Sequence, residues 1–199
     1  MISPKLAAKT ISSRRTALLK ASIEVFARFG YRKASMDEVA RAADVSRQGL
    51  YLQFANKKAL FSAVVDYALA KQLAAAQTAL AKGNRTLEER LTTACDEWSG
   101  RYVDVIGSNA ADLIESSVAI TGKTLSKYEA LFEQALADAI ANSGLAAFYA
   151  SVGLSPMDVA QTLHMAARGL KDSCKSRKIF VSRMAVAVRL LCAPLTGTA

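Results

Sequence analysis

The chain has 199 residues, 52% of them hydrophobic and 22% charged, with only three Pro; this supplies a packed core and excludes a disordered chain. No uninterrupted apolar run approaches the roughly 20 residues of a bilayer-spanning helix, and Met1-Ile2-Ser3-Pro4-Lys5 lacks the apolar segment of a secretory signal, so a cytoplasmic protein is expected. The net charge of +9 is uneven: residues 1–60 carry 12 Lys/Arg against 4 Asp/Glu, whereas residues 61–199 carry 14 against 13, which points the amino-terminal part at a polyanion, nucleic acid before membrane.

Alanine is abundant and no stretch alternates as a strand would, so an all-α fold is expected. Residues 1–12 read as a basic arm. A first helix is expected from about Ser13 to Phe29, because Leu18, Leu19, Ile23, Val25, Phe26 and Phe29 share one face and Lys20, Glu24 and Arg28 lie opposite. Gly30 is its natural stop.

Ser35-Met36-Asp37-Glu38 is a capping box, in which the serine hydroxyl and the glutamate carboxylate satisfy each other's backbone amides. It opens a second helix over Met36–Ala42 that buries Met36, Val39 and Ala40. Ala43-Asp44-Val45 makes a tight turn, and Ser46 caps a third helix reaching about Phe54. Asn56 caps a fourth, extending toward Lys82, whose apolar residues cover most of its circumference. Such a helix is buried on two sides, as one joining two domains would be.

Beyond Gly83, Thr86-Leu87-Glu88-Glu89 is another capping box, opening a helix expected to run to about Val105. Separate helices are expected over 109–119 and 125–142, with Gly122 breaking between them and Gly144 after the second. Residues 145–154 read as either a short helix or a loop. Ser155-Pro156 opens a helix to about Cys174, and a last one covers Ile179–Leu191. Cys95, Cys174 and Cys192 have no metal-ligand or paired spacing and read as reduced, mostly buried thiols; no metal or cofactor is expected.

The second and third helices with their turn form a helix-turn-helix, the unit that lays its second helix in the major groove of double-stranded DNA. At the start of the third helix stand Arg47 and Gln48, whose side chains make bidentate bonds to guanine and adenine edges. Gly49 lets backbone approach a phosphate, and Tyr51, Gln53 and Lys57 carry phosphate-binding groups. Singly, each has an ordinary alternative: a packing glycine, a core aromatic, a solvated lysine pair.

Together they are more specific. Arg14-Arg15, Ala21 to Gly30-Tyr31, Ser35-Met36-Asp37-Glu38-Val39-Ala40, Ala43-Asp44-Val45-Ser46-Arg47, Leu50-Tyr51, Phe54 and Asn56-Lys57-Lys58-Ala59-Leu60-Phe61 resemble the DNA-binding domain of TetR-family regulators without a gap over about Arg14–Val65. The resemblance implies base contacts by Arg47 and Gln48. It implies phosphate contacts from Ser35, Tyr51, Gln53 and Lys57, with Ser46 and Gly49 beside them at the start of the recognition helix. The chain departs from the family at Leu52 and Gln53, where an aromatic and a histidine are frequent, and at Gly49, where threonine is common. It divides the chain into the arm over 1–12, a DNA-binding domain over 13–55, and a helical effector-binding and dimerisation domain over 56–199.

In that last domain the family's layout implies an effector pocket among the middle helices and a four-helix homodimer interface at the end. Trp98, Tyr102, Glu115, Tyr128, Phe132 and His164 are pocket candidates, being large aromatics with a few polar groups. His164 also reads as a satisfied buried histidine or an interface residue. Val159, Leu163, Ala166 and Leu170, then Phe180, Met184, Ala187 and Leu191, repeat the 4-3-4 spacing of antiparallel packing helices, between subunits or within one. The expected function is a repressor released from a near-palindromic operator by a small molecule. An activator of the same fold and an effector-independent architectural DNA-binding protein are the alternatives. No catalytic motif points to an enzyme.

Overall fold

The computed structural model describes residues 4–103 and 110–195, with side chains from Ser13 onward except those of Tyr102, Ala110 and Leu195. Every regular element among the described residues is helical: α1 (Pro4–Lys33), α2 (Met36–Ala42), α3 (Arg47–Gln53), α4 (Lys57–Leu80), α5 (Leu87–Trp98), α6 (Ala110–Ala141), α7 (Leu145–Ser151), α8 (Pro156–Ser173) and α9 (Arg177–Cys192), with short 3-10 turns at Gly100–Tyr102 and Ala193–Leu195. The chain divides into two compact units, Met1–Ala68 with Ile106–Leu125, and Leu69–Val105 with Ser126–Ala199.

In the first unit, α1 starts earlier than the apolar pattern suggests. Pro4 suits a first turn, and Leu6, Ala7, Ala8 and Lys9 are strong helix formers, so the basic stretch is helical from Pro4. Its regular geometry ends at Gly30, whose φ of 77° favours glycine, before Tyr31–Lys33 resume. The core gathers Leu18, Leu19, Val25 and Phe26 of α1, Met36, Val39 and Ala40 of α2, Leu50 and Phe54 around α3, and Leu60, Phe61 and Val64 of α4. Phe26 and Phe61 meet edge to face with centroids 5.0 Å apart. Leu113 and Ile120 of α6 pack against this core. The α2–α3 turn places Asp44 at φ 51°, a conformation that aspartate tolerates.

The separate helices expected on either side of Gly122 are one element, α6. The helix bends at Thr121 (φ −131°, ψ 21°), whose hydroxyl donates to the Ser117 carbonyl at 2.8 Å. A mid-helix glycine costs about 1 kcal/mol against alanine, too little to end a helix with good formers on both sides.

By length and composition α4 would also suit a bilayer span. Lys57 and Lys58 stand in its first turn, Asp66 and Lys71 interrupt it, and Leu60, Phe61, Val64, Leu69, Leu73 and Ala76 are buried in the protein. Burial inside the fold accounts for that apolar composition.

The second unit packs α5 and α8 against α9 around Leu91, Cys95, Phe132, Leu136, Ile140, Leu163, Phe180, Met184 and Val188. The ambiguous stretch at 145–154 contains α7. Ser176 caps α9 by accepting the Ile179 amide at 3.3 Å, which moves that helix start back to Arg177. Conversely α5 ends at Trp98, several residues short of Val105. From Gly100 the chain runs on as the 3-10 turn, and a Cβ at Gly100 would lie 2.7 Å from the Phe180 ring and closer still to the Asp96 carboxylate. That carboxylate is held by Arg177 at 2.6 Å and 2.9 Å. Gly100→Ala should therefore destabilise the protein by about 1–3 kcal/mol through overpacking. A urea midpoint equal to wild type would show that the chain relaxes freely at this point.

Candidate nucleic-acid interface

The helix-turn-helix is built from its caps outward. The Ser35 hydroxyl accepts the Glu38 amide at 3.2 Å, while the Glu38 carboxylate accepts the Ser35 amide at 2.8 Å and its hydroxyl at 2.9 Å. Those bonds, the Ser35 amide first, hold the Glu38 carboxyl below its usual range. Ser46 caps α3 by accepting the Gly49 amide at 3.0 Å. Any Cβ at Gly49 would sit 3.0 Å from that same hydroxyl oxygen, so the threonine common in the family would crowd the cap here.

Leu50 and Phe54 anchor α3 to the core. Arg47, Gln48, Tyr51, Leu52 and Gln53 consequently face solvent, Leu52 with 82% of its surface exposed. Arg47 is held on two sides. Its Nη1 donates to Asp37 Oδ2 at 3.1 Å, and its guanidinium carbon lies 5.7 Å from the Tyr51 ring centroid.

Lys57, expected at a phosphate, has another task in this structure. Its ammonium donates to the carbonyls of Tyr31 at 2.9 Å, Arg32 at 3.1 Å and Ala34 at 3.0 Å, and lies 4.7 Å from the Tyr31 ring centroid. An ammonium has three donors, and all are directed at the α1–α2 connection. The same connection is held from α6: the Arg32 amide donates to Asp112 at 3.0 Å, and its guanidinium to Glu115 at 2.7 Å.

The pocket candidates separate. Glu115 is exposed and belongs to that Arg32 pair in the first unit. Tyr128 is half-buried on α6, and the side chain of Tyr102 lies outside the described residues. Trp98, Phe132 and His164 come together in the second unit. Trp98 and Phe132 stack at 4.8 Å with planes 14° apart, and His164 meets the Phe132 ring at 5.4 Å. The Trp98 indole N–H donates to His164 Nε2 at 3.3 Å, and Nδ1 lies 2.7 Å from Glu133 Oε1. An indole nitrogen is a donor only, so Nε2 accepts and Nδ1 carries the proton given to Glu133. Glu133, 31 residues from His164 and on another helix, has no signal in the sequence.

Of the stripe residues expected between subunits, Val159, Leu163, Phe180 and Met184 are buried inside the protomer, and Ala166, Leu170, Ala187 and Leu191 are half-buried. Val159, Leu163, Ala166, Ala187 and Leu191, with Tyr149 and Leu190, line a groove of about 360 Å³ between α8 and α9.

Residues 18–64 match the family model of bacterial regulatory proteins of the tetR family. The amino-terminal domain belongs to the TetR family. Over 57 residues the chain is 32% identical to the HTH-type transcriptional regulator RutR of Escherichia coli K12, a match covering 29% of this chain and 27% of RutR. The chain thus spans about a quarter of the length of the curated relatives it matches. Solved structures extend the likeness in fold. A transcriptional regulator from Rhodococcus sp. RHA1 superposes with a TM-score of 0.67 at 18% identity, over 90% of this chain and 96% of its own. The fatty acid degradation regulator FadR from Bacillus halodurans gives 0.61 at 14%, over 93% and 99%. At those identities the superpositions show a shared all-helical fold beyond the first domain.

If Lys57 ties the TetR-family domain together, Lys57→Met should lower its stability by about 1–3 kcal/mol, because three carbonyls lose a charged donor. Chemical denaturation followed by circular dichroism measures this. An unchanged midpoint would return Lys57 to a role at phosphate alone.

Proposed function

We propose that the protein is a cytoplasmic, homodimeric transcriptional regulator that reads a near-palindromic duplex through α3 and acts as a repressor released by a small molecule. The observation that carries this reading is the outward face of α3, where Arg47, Gln48, Tyr51 and Gln53 stand exposed on a helix capped by Ser46 and anchored by Leu50 and Phe54. The concentration of positive charge in residues 1–60 supports a polyanionic partner.

The seven residues of α3 span about 10 Å at 1.5 Å per residue, enough to enter one major groove and read a few base pairs. Useful specificity therefore asks for two copies. Met165, Ile179, Val186 and Leu190 are exposed apolar residues on α8 and α9, and Leu190, 73% exposed, lines the groove between those helices. They make this face, rather than the inward stripe through Phe180 and Met184, the surface for pairing.

Trp98, Phe132, His164 and Glu133 form the effector site in this reading, a polar chain set in apolar surroundings. The effector favours one arrangement of the dimer and DNA the other, with α4, unbroken from Lys57 to Leu80, carrying the change.

Fluorescence anisotropy against duplex from the gene's upstream region, with scrambled duplex as control, tests the DNA-binding part. Selective binding lost in Arg47→Ala is the expected result. Equal and steeply salt-dependent binding to both duplexes would favour a protein that only coats DNA. Trp98 is the single tryptophan, so effector binding at its cluster should change the protein's intrinsic emission. An effector that releases DNA without altering that emission would place the site elsewhere.

A further inference from the structure

We propose that Asp37 is a positioning residue for sequence discrimination: its carboxylate sets the plane of the Arg47 guanidinium so that two parallel N–H donors are presented to one guanine. The inference rests on the base-reading role proposed above for Arg47.

The geometry has two independent parts. Asp37 lies in the first turn of α2, and its Oδ2 accepts from Arg47 Nη1 at 3.1 Å. Tyr51, one turn along α3, places its ring 5.7 Å from the guanidinium carbon. The carboxylate holds one corner of the planar group, and the Tyr51 ring lies within cation–π range of its carbon. The Nε–Nη2 edge, two parallel donors of the kind that fit guanine O6 and N7, has no partner among the described residues.

Exposure separates orientation from stability. The Arg47 and Asp37 side chains are 66% and 50% exposed. An ion pair so open to water adds little to folding. What it does change is the number of rotamers from which a long side chain must be selected when a base arrives. A freely rotating Arg47 would meet phosphates in many poses and bases in few, giving affinity without discrimination. Asp37 also brings a negative charge toward the DNA, which weakens binding to any sequence. Loss of the carboxylate should therefore favour scrambled DNA while weakening the choice among bases.

The test uses full-length protein and duplexes selected by wild type from a random-sequence pool, each compared with single base-pair substitutions by anisotropy. Asp37→Ala, Asp37→Asn, Arg47→Ala and the Asp37→Ala/Arg47→Ala double variant are measured beside wild type. At the base pair where Arg47→Ala abolishes discrimination, Asp37→Ala should lose at least about fivefold of it. Binding of that variant to scrambled duplex should be unchanged or tighter. Asp37→Asn, which keeps an acceptor and the side-chain shape, should fall between. The double variant should be no worse than Arg47→Ala, because Asp37 acts through that side chain. Asp37 is refuted as a positioning residue by wild-type discrimination in Asp37→Ala, by equal weakening toward all duplexes, or by additive losses in the double variant. Retained discrimination in Arg47→Ala would instead remove the base-reading role and Asp37's with it.

Discussion

The ammonium of Lys57 organises the first domain. A cation in the first turn of a helix is disfavoured by the partial positive charge of the unpaired amides there. Here that cost is offset by the end of α1 and the residue after it, where the carbonyls of Tyr31, Arg32 and Ala34 accept its three N–H donors. The end of one helix thus compensates the start of another. The connection so held leads directly into the Ser35 cap of α2. From α6, Asp112 and Glu115 grip Arg32 of the same connection. Asp112 stands in the first turn of α6, where a carboxylate is favoured. The three Lys57 bonds and the Arg32 amide bond to Asp112 hold the connection that leads into α2 and, through its turn, α3.

This arrangement separates two jobs among the cations. Lys57 is tied to the protein's own carbonyls, whereas Arg47 stands on an exposed helix in an open pair with Asp37, and Arg32 pairs as openly with Glu115. Net charge counts all of them equally and so overstates the number of cations at liberty to meet a polyanion. Structural cations fix the frame, and the exposed ones meet whatever approaches it.

Local signals made most of the fold legible. Capping boxes at Ser35, Thr86 and Ser155 mark helix starts because they are closed by residues three apart. The apolar face over Leu18 to Phe29 likewise repeats with the helix itself. The errors have physical causes of longer range. Gly122 looks like a break, yet the helix bends one residue earlier and continues. The α5 helix ends at Trp98, and the close packing that requires glycine at position 100 comes from Phe180, 80 residues away. A 4-3-4 stripe states that a face is apolar, not what covers it; Phe180 and Met184 are covered by their own protomer. At the candidate interface, residue types at Arg47, Gln48 and Tyr51 were readable, but the Asp37 pair and the carbonyl ties of Lys57 require the folded turn.

The chain Trp98–His164–Glu133, buried at its first two members and partly exposed at Glu133, shows how a polar group can sit inside such a helical core. Each nitrogen of His164 has a partner of the right kind, one accepting from an indole and one donating to a carboxylate. Burying the ring without either would leave an unsatisfied polar atom at a cost of about 1–3 kcal/mol. The same bonds restrict any molecule that enters between these side chains. An apolar guest that parted Trp98 from His164 would orphan a donor and an acceptor together, and would have to recover that loss through packing. A guest bearing its own acceptor and donor would replace both bonds. The stacked Trp98 and Phe132 rings add a flat apolar surface beside that polar pair. Any effector that used this cluster, as proposed above, would therefore have to replace a donor and an acceptor as well as an aromatic stack.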